Sequence, residues 1–446
     1  MITAPSPEAA TNDADQTREV SIDDLIVGRP LVFPVNDTRG RLLLAAGQEL
    51  TGSAKRRLKS MGVHRVCAHA ADSLVRNLDG VELRSTSSLA SEDSISARLD
   101  QVVEQGLFQV QNSGPAVRER VRKHGATAFD RERQHDVSEL RNETQAELAC
   151  LVKEALQGRN DTGGAVAQMA AQFLAQSTED TDCVLSVVLE AAKKPDLADH
   201  SLKMAVLAMA IGIEMGLDED NSRRLCVTGL VCDWGMYKLP DELLDADRVL
   251  SIGEHLQIQK HSQYTAEILE RTTGLPSQTA VIAYQVHERP NGRGYPKQRT
   301  SDRINICSRI LAVADTYTAL TTPRAWRPAL TPYAAMETIL RMARTRDVDP
   351  EATRALLKVL SLFPIGSLVA LNDGSIAQVI RRNGERYDRP IVEIVQNSEG
   401  RPVPMESREV VDLSTSELQV TQAIAHPGSL QQTWGEPFVN IERDLR

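Results

Sequence analysis

The spacing of hydrophobic positions changes period along the 446 residues of this chain. From Ser21 it is close to two. "RPLVFPVND" and "GRLLLAAGQEL" flank the turn Asp37-Thr38-Arg39-Gly40, a pattern that predicts a hairpin. "SAKRRLKSMG" predicts a short helix stopped by Gly62, and "VHRVCAH" a further strand. Together they make a small α+β module over 21–70, too small to be stable without packing on something else. Residues 1–20 are polar and aperiodic and read as a disordered tail, and 71–133 as a polar linker with some helix. From 134 to 360 the period is helical. "VSELRNETQAELACLVKEAL", "AVAQMAAQFLAQ" and "CVLSVVLEAAKK" come first, then a run in which Leu202, Val206, Met209 and Ile213 share one helical face. "RPNGRGYPKQRTSD" (289–302) interrupts this run and is too rich in Gly, Pro and Asn to be anything but a loop. After "FPIG" the period returns to two, and Asn372-Asp373-Gly374 predicts a hairpin turn between "SLVAL" and "SIAQVIRR". A second small β module over 361–415 and a tail over 416–446 complete the chain. The expected fold is mainly α, a helical bundle flanked by two small β-rich modules.

Composition narrows the function classes. A length of 446 residues calls for two to four domains, and 41% hydrophobic with 25% charged residues describes a globular protein. A net charge of −10 argues against a broad surface for DNA, RNA or anionic membrane, while leaving room for a local basic pocket. The stretch "MAVLAMAIGI" is too short to span a membrane, and the first twenty residues lack the pattern of a secretory signal, so the expected location is the cytoplasm. The six cysteines are scattered without a CxxC pair and read as reduced thiols. The helical stretch 134–178 is a candidate homodimer contact.

The helical region carries polar residues at apolar addresses. His200 opens a helix, Asp233 ends the next, His261 begins another, His287 closes "VIAYQVHE", and Asp315 lies inside "RILAVADTYTAL". The intervals of 33, 28, 26 and 28 residues are each about one helical hairpin, the spacing expected if successive helices each give one ligand to a shared centre. A carboxylate among Ile, Leu, Ala and Val is costly to bury unless paired or coordinated. Imidazoles with carboxylates suit Fe, Mn, Zn or Mg. The plainer alternative stays open at this point: histidines hydrogen-bonded in a core, and Asp315 paired with an arginine such as Arg309.

The segments around these residues resemble an HD-GYP domain over about 193–350. This is the branch of the HD phosphohydrolase superfamily whose active members hydrolyse cyclic di-GMP. "HSLKMAVLAMAIGIEMGL" is similar to the family's opening helix, and "CDWGMYKLPDELL" stands where the family has HD-x-G-K. "KHSQYTAEIL" matches the next histidine segment, "YQVHERPNGRGYP" the signature that names the family, and "RILAVADTYTALTTPRAWRPAL" the closing aspartate segment. The resemblance implies an HD-type bundle with His200, Asp233, His261, His287 and Asp315 as metal ligands. It implies ligand contacts from Gly294, Tyr295, Pro296, Arg324 and Arg327, and metal-assisted hydrolysis of a phosphodiester as the family chemistry.

Four positions depart from the pattern. Cys232 stands for the histidine of the HD pair, Met236 for the lysine after it, Val286 for the first histidine of a doublet, and Thr318 for a frequent second aspartate. A thiolate can ligate zinc, which keeps Cys232 as a doubtful ligand, but valine and methionine cannot replace what they displace. Lys238 lies too far round the turn to stand in for Met236. The expected reading is therefore a degenerate signalling module. It would bind cyclic di-GMP, a related cyclic dinucleotide, or a protein partner such as a diguanylate cyclase, with weak turnover or none. Divalent Fe, Mn or Zn would be held at reduced occupancy or not at all. The alternatives are a working phosphodiesterase with a modified metal site and a metal-free helical interaction domain of the HDOD kind.

Overall fold

The structure, a computed structural model, describes residues 17–69, 95–104 and 110–424. Positions 23–30, 32, 47, 49–56, 193–194, 245, 247, 249, 277 and 324–327 within those spans lie outside the description. The chain forms two compact units, 1–91 and 92–446.

The first unit holds β1 (Thr17–Ser21), β2 (Val35–Asp37), β3 (Leu42–Leu44) and β4 (Arg65–His69) in one antiparallel sheet of order β1-β4-β2-β3. The predicted hairpin is β2–β3, and the Asp37 carboxylate closes its turn by accepting from the N–H groups of Arg39 and Arg41. Val20, Ile22, Leu31, Val35, Leu44, Val66 and Ala68 form its core. β1 begins at Thr17, inside the stretch read as an aperiodic tail, and its partner β4 lies more than forty residues away, beyond the reach of local patterning.

The second unit opens with α1 (Ile95–Glu104). Then come α2 (Arg131–Leu156), α3 (Gly163–Val188), α4 (Leu197–Glu214) and α5 (Glu219–Val231). Asp130, Asp196 and Asp218 cap α2, α4 and α5 by accepting from backbone N–H groups of the first turns. α3 runs through two segments whose patterns read separately, and the reason lies at Asp180. Its backbone is non-helical (φ −155°, ψ 87°), and its carboxylate accepts from Cys183 N at 3.0 Å as an internal cap. α4 is buried on every side from Ala198 to Ile213, so the single apolar face of the sequence is in fact a central hub, polar at Asp199, His200, Ser201 and Lys203 and apolar from Met204 onward. The rest of the bundle is α6 (Asp241–Leu244), α7 (Ile252–Gln259), α8 (His261–Arg271), α9 (Thr279–Tyr284), α10 (Ile306–Thr321), α11 (Pro332–Arg344) and α12 (Pro350–Leu360). α4 packs against α2, α3, α5, α10 and α12.

The C-terminal sheet has the order β8-β7-β6-β5-β9, from β5 (Leu368–Leu371), β6 (Ile376–Arg381), β7 (Ile391–Gln396), β8 (Val410–Asp412) and β9 (Val420–Ile424). The Asn372-Asp373-Gly374 hairpin joins β5 to β6 as expected. β9 lies in the stretch read as a tail and pairs with β5, a contact set by tertiary register. The sheet is tied to the bundle through Arg381. Its guanidinium donates to both oxygens of Asp180 at 2.9 Å and to Thr127 O at 2.7 Å, and lies 4.6 Å from the Phe129 ring centroid. No described helix is long and apolar enough to cross a membrane.

Candidate metal centre

Five elements bring the polar residues together. His200 sits in the first turn of α4, Asp233 just past the end of α5, His261 at the first position of α8, His287 in the turn after α9, and Asp315 in mid α10. His200, Asp233, His261 and Asp315 are buried and His287 nearly so. His261 Nε2 lies 2.9 Å from His287 Nε2 and 3.7 Å from Asp233 Oδ1, and His287 Nε2 is 3.9 Å from the same oxygen. His200 Nε2 lies 3.1 Å from Asp315 Oδ1 and 3.9 Å from Asp233 Oδ2. Arg309 is committed elsewhere, to Asp349 at 2.6 Å, so the partners facing Asp315 are the imidazoles of His200 at 3.1 Å and His287 at 3.8 Å.

The electrostatics favour a cation. Burial by itself would raise both carboxyls, but the facing imidazoles override it, holding Asp233 well below the usual carboxylate range and Asp315 below its ordinary value. Burial, with His287 adding to it, pushes His261 down to about 4, so its ring is neutral at physiological pH. His261 Nδ1 donates to Ile258 O at 2.7 Å, which leaves Nε2 as the lone pair aimed into the centre. Among the described residues, Asp233, His261 and His287 are the group whose donor atoms converge, all lying within 4.8 Å of one another. Two donors about 2.1 Å from a single ion stand about 3–3.4 Å apart, so this set fits one divalent ion with a small closure of the carboxylate.

Local sequence explains the positions. At Gly235 an added Cβ would lie 2.1 Å from His261 O, so only glycine lets the Cys232–Lys238 turn press against the start of α8. Gly235 N donates to Thr265 Oγ1, which itself donates to Cys232 O, locking Asp233 to the helix that carries His261. The Gly294-Tyr295-Pro296 loop does the same for His287. The Tyr295 ring stacks on the His287 ring at 4.9 Å with an interplanar angle of 11°, and Tyr295 N donates to His287 O. The Tyr295–Pro296 bond is cis. A Cβ on Gly294 would lie 2.4 Å from His287 O and 2.3 Å from Arg289 N. Gly294→Ala is therefore expected to cost about 1–3 kcal/mol in chemical denaturation, as overpacking against backbone that cannot yield. It should also speed hydrogen exchange over 287–296; an unchanged loop would show that the close approach is not what holds it.

The departing positions divide. The Cys232 thiol is buried and turned to Gly229 O at 3.6 Å, and burial, with Asp233 and Asp315 nearby, pushes its pKa well above the ordinary value. It is thus a neutral thiol packed in the core. Val286 is buried in the same core, Met236 is half-buried in the turn after Asp233, and Thr318 is buried in α10. Lys238 points away, pairing with Glu267 at 3.3 Å and resting on the Tyr264 ring. Arg324 and Arg327 lie outside the described residues. Spacing did not single out Glu288, yet it is 1% exposed and accepts from Lys297 N and Arg299 N, stapling the loop beside His287. Burial pushes its carboxyl up, against the pull of those N–H groups. Its only signal in the sequence was an acidic residue next to a candidate ligand. A cavity of about 460 Å³ lies elsewhere, where α3 meets β6. Arg122, Lys358, Arg381 and Arg382 in its lining each face a carboxylate, so it reads as a charged junction.

Comparison with known proteins agrees with this architecture. Residues 143–352 match the family described as "HD domain", and 368–431 the one described as "KOW domain associated with HD domain". The chain thus carries an HD domain over 143–352. The Gly294-Tyr295-Pro296 loop is similar to the signature of the HD-GYP branch. A cyclic di-GMP phosphodiesterase of Pseudomonas aeruginosa is 25% identical over 61% of this chain and 65% of its own length. Another, of Borreliella burgdorferi, is 26% identical over 44% of this chain and 51% of its own. A 3'3'-cGAMP-specific phosphodiesterase of Vibrio cholerae is 36% identical over 31% and 32%. The matched region spans less than two thirds of the length of each of these relatives.

Proposed function

We propose that this chain binds a cyclic dinucleotide, cyclic di-GMP or a related molecule, at an HD centre reduced to one divalent ion, and signals by binding with little or no hydrolysis. The observation that carries this reading is the divided donor set. Asp233, His261 and His287 converge, while on the other side the position of Cys232 offers a core-packed neutral thiol and His200 is hydrogen-bonded directly to Asp315. Two-metal phosphodiester hydrolysis places its ions about 3.5–4 Å apart, each needing its own ligands. The side that has lost a donor here is left with His200 Nε2 engaged by Asp315 Oδ1.

When bound, the ion would polarise a phosphate oxygen. The chain's own residues would hold it (Asp233, His261, His287), orient His287 by Tyr295 stacking, and keep His261 as a neutral ligand through Ile258 O. A ligand-dependent contact with a signalling protein, or a second copy of the chain, would carry the output.

One observation favours a second reading, a working phosphodiesterase. The Asp233 carboxylate turns Oδ1 towards His261 and His287 and Oδ2 towards His200, the posture of a bridging ligand. Anaerobic purification, metal counting by mass spectrometry and titration with cyclic di-GMP separate the two. One equivalent of metal or less, micromolar binding and no linear product are expected. Two equivalents of iron or manganese with steady conversion would establish the phosphodiesterase instead.

A further inference from the structure

The loop that orients His287 is held from outside by α1, an element that belongs to no part of the bundle's main core. Leu99 and Val103 of α1 form a separate apolar cluster with Ala266 of α8 and Val281 and Tyr284 of α9. α8 begins with His261, and α9 leads into His287. Arg98 pairs with Glu270 near the far end of α8. On the other side Asp100 pairs with Lys297 at 2.8 Å and with Arg299, the two residues whose backbone N–H groups Glu288 staples. A continuous chain of contacts thus runs from α1 through Asp100 to Lys297 and Arg299, on to Glu288, and so to His287 and Tyr295.

We propose that α1 is a strap that sets the position of the Gly294–Arg299 loop, and through it His287, with Asp100 as its positioning residue. Among the described side chains, Leu99, Val103 and the partly buried Val102, with the ion pairs of Arg98 and Asp100, anchor this ten-residue helix, a small contact suited to reversible release.

The test uses the full-length protein and two readouts that need no cyclic dinucleotide: hydrogen exchange of 288–299, and cobalt(II) affinity followed by its d–d absorption. Because neither involves the nucleotide, failure here is distinct from failure of the binding function proposed above. Asp100→Ala should speed exchange of the loop about tenfold while α11 and α12 stay unchanged. It should also weaken cobalt binding about tenfold, the usual size for loss of a group that orients a ligand. Asp100→Glu should restore both. Lys297→Met breaks the pair from the loop side with α1 intact and should give the same loop result, covering the case in which Asp100→Ala misfolds. Unchanged loop exchange in both variants would overturn the proposal, and so would a rise spread equally over α11 and α12. Faster loop exchange with undiminished cobalt affinity would overturn the claim that the strap positions His287.

Discussion

Asp233→Ala should abolish metal binding at this centre, raising the dissociation constant for iron(II) or cobalt(II) by at least about a hundredfold. Loss of a group that merely orients a ligand costs about 10–100-fold in affinity, and Asp233 faces the centre itself. Its two oxygens address three imidazoles: Oδ1 those of His261 and His287, Oδ2 that of His200. The imidazoles hold its pKa well below the usual carboxylate range, so the charge is present at every physiological pH. Removing it takes away the negative charge shared by those rings and leaves a neutral His261 facing His287 at 2.9 Å. Competition against a calibrated chelator measures the effect, with circular dichroism to confirm folding. Asp233→Asn, which keeps the shape, should behave like alanine, because the charge and not the volume attracts the ion. An affinity within threefold of the parent chain would remove Asp233 from the ligand set, and the single-ion reading with it.

Arg381→Leu should cost about 3–5 kcal/mol of stability, the range for breaking a buried pair from one side. Arg381 and Asp180 are each 3% exposed in their side chains, and the guanidinium meets the carboxylate with two bonds of 2.9 Å. Leucine would leave Asp180 buried with Cys183 N as its remaining close partner and His124 at 3.6 Å, and would also free Thr127 O. The double variant Asp180→Leu with Arg381→Leu should recover much of the loss, since an apolar pair of similar volume leaves no charge stranded. The pH dependence has a definite sign. Burial would raise the Asp180 carboxyl, but the hydrogen bonds from Arg381 lower it below its ordinary value of 3.8. The stabilisation is therefore present above the unfolded pKa and fades as pH falls through the folded one. Chemical denaturation of parent and variant at pH 7 and pH 3 should show a gap that narrows in acid; a gap independent of pH would mean that packing around Phe129, not the ion pair, is what leucine disturbs.

Cys232 shows how far local reading reached. That a cysteine stands where the resemblance implies a ligand was visible in the motif, but whether its thiolate could serve as one was not. The answer depends on where Sγ points, towards Gly229 O in the core, and on burial that keeps the thiol protonated. Lys238 is similar: its distance round the turn was legible, its commitment to Glu267 was not. Glu288 and Asp100 escaped because nothing in their periodicity separates a stapling carboxylate from a solvated one. β9 escaped because a strand at a sheet edge takes its identity from a partner some fifty residues earlier.

By itself the sequence determined what short-range chemistry dictates. It set the helical and strand periods, the Asp37 and Asn372-Asp373-Gly374 turns, the five polar residues at helical-hairpin intervals, and the motifs of the HD superfamily. Tertiary structure alone decided that three of those five residues converge, that His200 turns to Asp315, that the Gly294 loop rests on the His287 backbone, and that α1 reaches over to hold the loop. The division has a physical cause. Periodicity records which face of an element avoids water, an average over many side chains, whereas a metal centre depends on a few atoms placed to within an ångström by elements far apart in the chain.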